Sequence, residues 1–174
     1  MQGNEWKVRK LLYDLATLRG EGWVLWLDAD QILSSNPRPH LSGDSCAFKV
    51  FDMWSETHYR EDAWWRGHIQ NWWWGVNADK MADFEAEWPE RGWHSGHVPR
   101  NLPDHARNPT QMPIECSILH YAYTTEELRA KKVALYKALE PSLTQREIGH
   151  ARTIPMKCHT KPLPLTPEYA VDLG

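Results

Sequence analysis

The chain has 174 residues, 41% of them hydrophobic and 25% charged, with a mean hydropathy of −0.66, enough for one domain with a real core and too few for two ordinary ones. A net charge of −3 and a pI of about 6.3 supply no global basic field for nucleic acid or an anionic membrane, and no apolar run approaches a membrane span. Met1 is followed by Gln-Gly-Asn-Glu rather than by a basic stretch and an apolar run, so a cytoplasmic protein is expected.

From Glu5 to Arg19, the residues Val8, Leu11, Leu12, Leu15 and Leu18 recur at the three-to-four spacing of an amphipathic helix, and Gly20 and Gly22 supply a stop. Gly22 to Leu27 is a short continuous apolar run rich in strand formers, which predicts a buried strand in a parallel or mixed sheet. Asp28-Ala29-Asp30 therefore sits at a strand's C-terminal end. Ser34 to Pro39 is a loop by composition, and Ala47 to Phe51 predicts a further strand. From Asp52 to about Pro113 the pattern has no clear period and mixes tryptophan, histidine, charge and proline, which reads as irregular structure with short elements.

Pro113 to Tyr121 alternates as a strand that ends at His120. The run Thr124-Thr125-Glu126-Glu127 contains a Thr-x-x-Glu capping box, and Leu128, Val133, Leu135, Tyr136 and Leu139 carry an apolar helix face until Pro141. Lys131-Lys132 reads as the solvated face of that helix. From Ile154 onward, Pro155, Pro162, Pro164 and Pro167 predict an extended tail. The expected organisation is one domain over residues 1–153 and a proline-rich tail over 154–174.

Cys46, Cys116 and Cys158 are widely spaced and odd in number, which argues for reduced thiols rather than a disulfide framework or a Cys-x-x-Cys zinc clamp. His94-Ser95-Gly96-His97 has a His-x-x-His spacing, but a glycine-containing loop is a poor preset zinc face. Of eleven tryptophans, eight fall between Trp54 and Trp93, including Trp64-Trp65 and Trp72-Trp73-Trp74. Adjacent tryptophans cannot all point into one core, so some are expected to line a cleft or an interface.

Asp28 and Asp30 carry the strongest chemistry. Two carboxylates one residue apart after an apolar strand offer oxygen ligands for a hard cation such as Mg²⁺ or Mn²⁺, at the strand end where open α/β sheets bind ligands. By itself an Asp-x-Asp match is expected roughly 0.6 times by chance in this composition, and aspartate is also favoured in turns. The surrounding residues carry more. Glu21 to Leu33 resembles the strand and Asp-x-Asp segment of family 2 glycosyltransferases, although Gln31 stands where glutamate is common. Phe51 to Asp62, and Ile118 to Tyr123 running on through Glu127, Arg129 and Lys131-Lys132 to Tyr136, resemble a bacterial and phage branch of that family in order and spacing. The likeness covers roughly Gly22 to Pro141.

The resemblance implies an α/β fold of the GT-A (Rossmann-like) type: a mixed sheet with flanking helices, here partial and with an irregular tryptophan-rich region. It also implies transfer of a sugar from a nucleotide-sugar donor, a UDP-sugar by expectation, to a carbohydrate or other hydroxyl acceptor. In that reading Asp28, Asp30 and His120 hold Mn²⁺ or Mg²⁺, and Asp28 and Arg60 face the nucleotide diphosphate. Asp62 or Glu61 serves as general base, and Trp64 and Trp65 offer a stacking platform for sugar. His120 also reads as a buried strand-end histidine with a satisfied hydrogen bond, Glu61 and Asp62 as a solvated surface, and Arg60 as an ion-pair partner. Such a domain has a nucleotide-binding part before its Asp-x-Asp, and only one helix precedes the strand here. A truncated domain is expected, whose open sheet edge favours self-association or a second chain that completes the sheet. The alternative is a non-catalytic remnant, a carbohydrate-binding or partner-binding module of the same fold.

Overall fold

The computed structural model describes residues 5–18, 21–62, 65–69, 71–81, 84–90, 97–139 and 152–168. The predicted helix stops Gly20 and Pro141, together with Trp64 and His94, lie outside the described residues. The elements in chain order are α1 (Glu5–Thr17), β1 (Trp23–Leu25), β2 (Gln31–Leu33), β3 (Ser45–Asp52), β4 (His58–Arg60), β5 (Asn71–Asn77), β6 (Thr110–Gln111), β7 (Ile118–His120), α2 (Glu126–Leu139) and β8 (Thr160–Pro162). The fold is α/β with mixed strand pairing. The chain forms two compact units, each assembled from three separate segments.

The first unit comprises residues 1–28, 37–48 and 72–112. Gly22, at φ +81°, turns the chain into β1 through a conformation that suits glycine. β1 pairs antiparallel with β5 in the register Trp23↔Asn77, Val24↔Val76 and Leu25↔Gly75. β5 neighbours β3, whose first half pairs parallel with β6 through Cys46↔Thr110. β1 is half-buried rather than buried, because it has a neighbour on one side only within this unit. Seven-residue β5 runs through the tryptophan cluster that shows no period in the sequence.

Helix α1 is where its spacing predicts, but its outward face is the predicted apolar one. Val8, Leu11, Leu12, Leu15 and Leu18 are exposed, whereas Tyr13 is buried and Trp6 packs against the core. Tyr13 stacks on Trp26 at 5.9 Å, and Trp26 meets Trp88 edge-on at 6.0 Å. Two large rings on the less regular face thus provide the core contacts that the leucine face was expected to make.

The second unit comprises residues 29–36, 49–71 and 113–174. The C-terminal half of β3 pairs parallel with β7 (Val50↔Ile118, Phe51↔Leu119, Asp52↔His120), and β7 pairs antiparallel with β2 (Gln31↔His120, Leu33↔Ile118). β7 is thus flanked on both sides, which buries Ile118 and Leu119 completely. One apolar cluster gathers Phe51, Met53, Tyr59 and Leu119, and another gathers Trp65, Ala122, Tyr123, Tyr136 and Ile154. At the start of α2 the cap is Thr125, whose hydroxyl accepts from the Leu128 N–H at 3.1 Å. Thr124 instead donates to the Tyr121 carbonyl, and Glu127 pairs with Lys131 rather than closing a capping box.

The proline-rich segment is extended, and it is tied to this unit. β8 pairs antiparallel with β4, the Leu163 N–H donates to the Thr57 carbonyl and the Glu168 N–H to that of Ser34. Among the described residues no helix is long and apolar enough to cross a membrane.

Candidate functional site

In the second unit, strand register brings three side chains of very different sequence position together. Asp52 ends β3 directly beside His120 at the end of β7. On the other side β2 opens with Gln31 opposite His120, so Asp30, one residue earlier, lies at the same end, and its carbonyl accepts the Tyr121 N–H at 2.8 Å. His120 Nδ1 is 2.9 Å from Asp52 Oδ1, and its Nε2 is 3.5 Å from Asp30 Oδ1. Lys132, on the first half of α2, donates to the second Asp30 oxygen at 3.2 Å. Tyr123 packs edge-on against the imidazole at 5.2 Å.

This geometry sets the charges. Burial alone would lower the His120 pKa, but the hydrogen bonds and negative charges of Asp30 and Asp52 push it up to about 9. Burial alone would raise Asp30, but the hydrogen bond and charge of His120, and then Lys132, bring it down to about 2. At neutral pH His120 is therefore an imidazolium beside an ionised Asp30.

Asp30 and His120 are the side chains here that could hold a divalent cation, and only with His120 Nε2 deprotonated. Asp52 holds Nδ1, leaving Nε2 as the nitrogen directed at Asp30, the arrangement in which an outer carboxylate orients a metal-binding histidine. Asp30 Oδ1 and His120 Nε2 are close enough to share one ion. Among the described residues, no group of three or more His, Cys, Asp or Glu side chains is placed to hold a metal.

Asp28 belongs to the first unit. One of its oxygens accepts from Arg9 at 2.8 Å, and the other is 3.4 Å from His97 Nε2. Burial raises its pKa, but the His97 hydrogen bond and the Arg9 guanidinium together hold it well below the usual carboxylate range. His97 itself is lowered by burial, against the hydrogen bond and charge of Asp28, which raise it. His97, the described half of the His-x-x-His spacing, thus serves a carboxylate.

Of the two readings of Arg60, the ion-pair one describes its surroundings. Arg60 is 2% exposed. Its guanidinium is enclosed by the Trp54 and Trp65 rings at 4.7 and 5.0 Å, and it donates to Asp62 at 2.6 Å and to the Thr153 carbonyl at 2.7 Å. The second Asp62 oxygen accepts the His159 N–H at 2.7 Å, so both of its oxygens are engaged in holding the segment that leads to β8. Arg60 is a buried ion-pair partner here, without an open face for phosphate. Glu61 pairs with exposed Lys161 at 2.9 Å. Trp65, read as a stacking platform, is 1% exposed and packs edge-on against Trp54 and Tyr123; a ring enclosed on these sides cannot stack on a sugar. Trp64 lies outside the described residues.

Two members of the quartet carry no site role in the sequence reading. Asp52 lies inside a resembling segment, and the signal that finds it is register, since β3 and β7 end together. Lys132 reads as a solvated helix residue, yet its side chain is 27% exposed and bonded to Asp30. No protein-family model matches the chain, and neither the curated proteins nor the solved structures contain a match.

Proposed function

We propose that this chain is a metal-dependent glycosyltransferase domain of the GT-A type, moving a sugar from a nucleotide-sugar donor to an acceptor hydroxyl. The observation that carries the reading is the Asp52–His120–Asp30 arrangement: the residue of the Asp-x-Asp motif in the second unit meets the histidine that the resemblance assigns to the same ion. A bound Mn²⁺ or Mg²⁺ would supply positive charge to the departing diphosphate. Asp30 and His120 would hold it, and Asp52 fixes the imidazole so that Nε2 faces the ion.

In the transfer, the acceptor oxygen bonds to the anomeric carbon as the bond from that carbon to the diphosphate oxygen breaks, and the acceptor proton goes to a carboxylate. Of the two carboxylates read as the base, Glu61 has the freer oxygens, because both of those of Asp62 are engaged.

A second reading, a binding module without turnover, is favoured by one observation: His120 already has a carboxylate at each ring nitrogen without an ion. Calorimetric titration of UDP with and without Mn²⁺ separates the two. Metal-dependent UDP binding that Asp30→Ala removes supports the transferase, and UDP binding that is absent or indifferent to Mn²⁺ overturns it.

A further inference from the structure

Helix α1 carries an apolar seam that the first unit does not cover. Val8, Leu11, Leu12, Leu15 and Leu18 are between 52% and 80% exposed, whereas Trp6 and Tyr13, on the opposite face of the helix, pack into the core. Two anchors hold α1 in that orientation. Arg9 pairs with Glu5 at 2.7 Å and with Asp28 at 2.8 Å, and Tyr13 stacks on Trp26. Turning the leucines inward would break both. The seam therefore leaves on the order of 400–500 Å² of apolar surface open to water, at the upper end of the patches that monomers show.

We propose that this seam is the contact between two copies of the chain, with the two α1 helices paired antiparallel about a twofold axis. The inference is independent of the metal site proposed above. Val8, Leu11, Leu15 and Leu18 are spaced three, four and three residues apart, the interval of a coiled-coil seam. That spacing reads the same from either end. An antiparallel pair sets Val8 opposite Leu18 of the second copy and Leu11 opposite its Leu15, with Leu12 beside the axis, so a second copy matches the seam at every layer. Two seams together bury about 800–1,000 Å², and the flanking Lys7 and Asp14 bring the contact to the roughly 1,000–1,200 Å² at which specific pairs begin. A weak dimer is expected, with a dissociation constant of about 1–100 μM. A lipid surface is the poorer occupant. A helix lying on a membrane turns its other face to water and gathers lysine and arginine there, whereas α1 buries its other face in protein and sets Asp14 2.8 Å from Lys10.

The test is sedimentation equilibrium of the full chain over about 1–100 μM, with circular dichroism on every variant. The unmodified chain should pass from 20.3 kDa to twice that mass as concentration rises. Leu11→Glu and Leu15→Glu fall at exposed positions that the monomer tolerates, and each should weaken association at least about thirtyfold by placing charge in the seam. Val8→Glu and Leu18→Lys should each weaken it as well. The chain carrying both should associate at least about tenfold more tightly than either alone, because each glutamate then faces a lysine of the second copy.

A monomer throughout the range, or a dimer indifferent to Leu11→Glu and Leu15→Glu, overturns the proposal. So does a Val8→Glu, Leu18→Lys chain no tighter than its single variants, since the helices would then not run antiparallel. If a glutamate variant at Leu11 or Leu15 does not fold, the Val8 and Leu18 set decides. Co-sedimentation with phosphatidylserine vesicles covers the other occupant: vesicle binding that Leu11→Glu abolishes, with no dimer in solution, assigns the seam to a lipid surface and overturns the pairing.

Discussion

His120 has a carboxylate at each ring nitrogen, and the two carboxylates differ in kind. Asp52 is 2.9 Å away and 14% exposed, whereas Asp30 is 3.5 Å away and 35% exposed. The tighter, drier contact fixes the ring, and the looser, wetter one is where an ion can enter. Substituting Asp52 should therefore weaken the site without removing a ligand. Asp52→Asn keeps an acceptor for Nδ1–H but loses its charge, and Mn²⁺ affinity should fall about tenfold, at the low end of what outer-shell carboxylates contribute. Asp30→Asn, which removes a ligand charge, should cost more. Isothermal titration of both variants checks the order, and Mn²⁺ affinity unchanged in Asp52→Asn would show that His120 needs no orienting partner. The sequence offered His120 by strand end and Asp30 by motif, although Asp30 directly precedes β2 instead of ending β1, which stops at Leu25. Asp52 needed the pairing of β3 with β7, a relation between residues 68 positions apart that local pattern does not encode.

At the scale of elements, legibility followed the regularity of the pattern. α1, α2, β3 and β7 were all visible, because helical spacing and strand runs are local signals. β5 was not visible: Trp72-Trp73-Trp74-Gly75 has neither alternation nor a helical period. The structure gives that glycine a purpose. It lies opposite Leu25 in the β1–β5 ladder, and a Cβ there would meet the Val24 carbonyl oxygen at 2.8 Å, Cys46 Sγ at 2.9 Å and the Leu25 side chain. The backbone carbonyl cannot move without breaking the ladder, so Gly75→Ala should destabilise the chain by about 1–3 kcal/mol and lower its melting temperature by several degrees. A thermal melt followed by circular dichroism decides this, and an unchanged midpoint would mean that β1 and β5 are less closely paired than described. The leucine face of α1 illustrates the opposite lesson. Period alone locates a helix but not the face it buries, and here Tyr13 and Trp6 outcompeted five aliphatic side chains.

At the scale of the molecule, each unit draws on three segments of chain, and the charged quartet spans from Asp30 to Lys132. Such an assembly is set by long-range pairing, which explains why the sequence showed its pieces but not their grouping. It also ties the stability of the second unit to pH. In the metal-free protein, His120 has a pKa of about 9 when folded against an ordinary value of 6.5. A raised basic group stabilises fully below the unfolded value, so this contribution is complete below about pH 6.5 and is lost as pH rises through 9. At about 1.4 kcal/mol per pKa unit, it amounts to roughly 3 kcal/mol. Asp30 runs the other way. Its pKa falls from 3.8 to about 2, so its contribution is present above pH 3.8 and is lost as pH falls through 2. The two shifts describe largely one interaction and are not summed. In EDTA the melting temperature should therefore be highest between about pH 4 and 6.5 and should decline toward pH 9. His120→Gln should flatten the alkaline decline while lowering the plateau. An alkaline limb as steep in His120→Gln as in the parent protein would mean that other groups carry it, and that His120 is not the charged centre of the quartet.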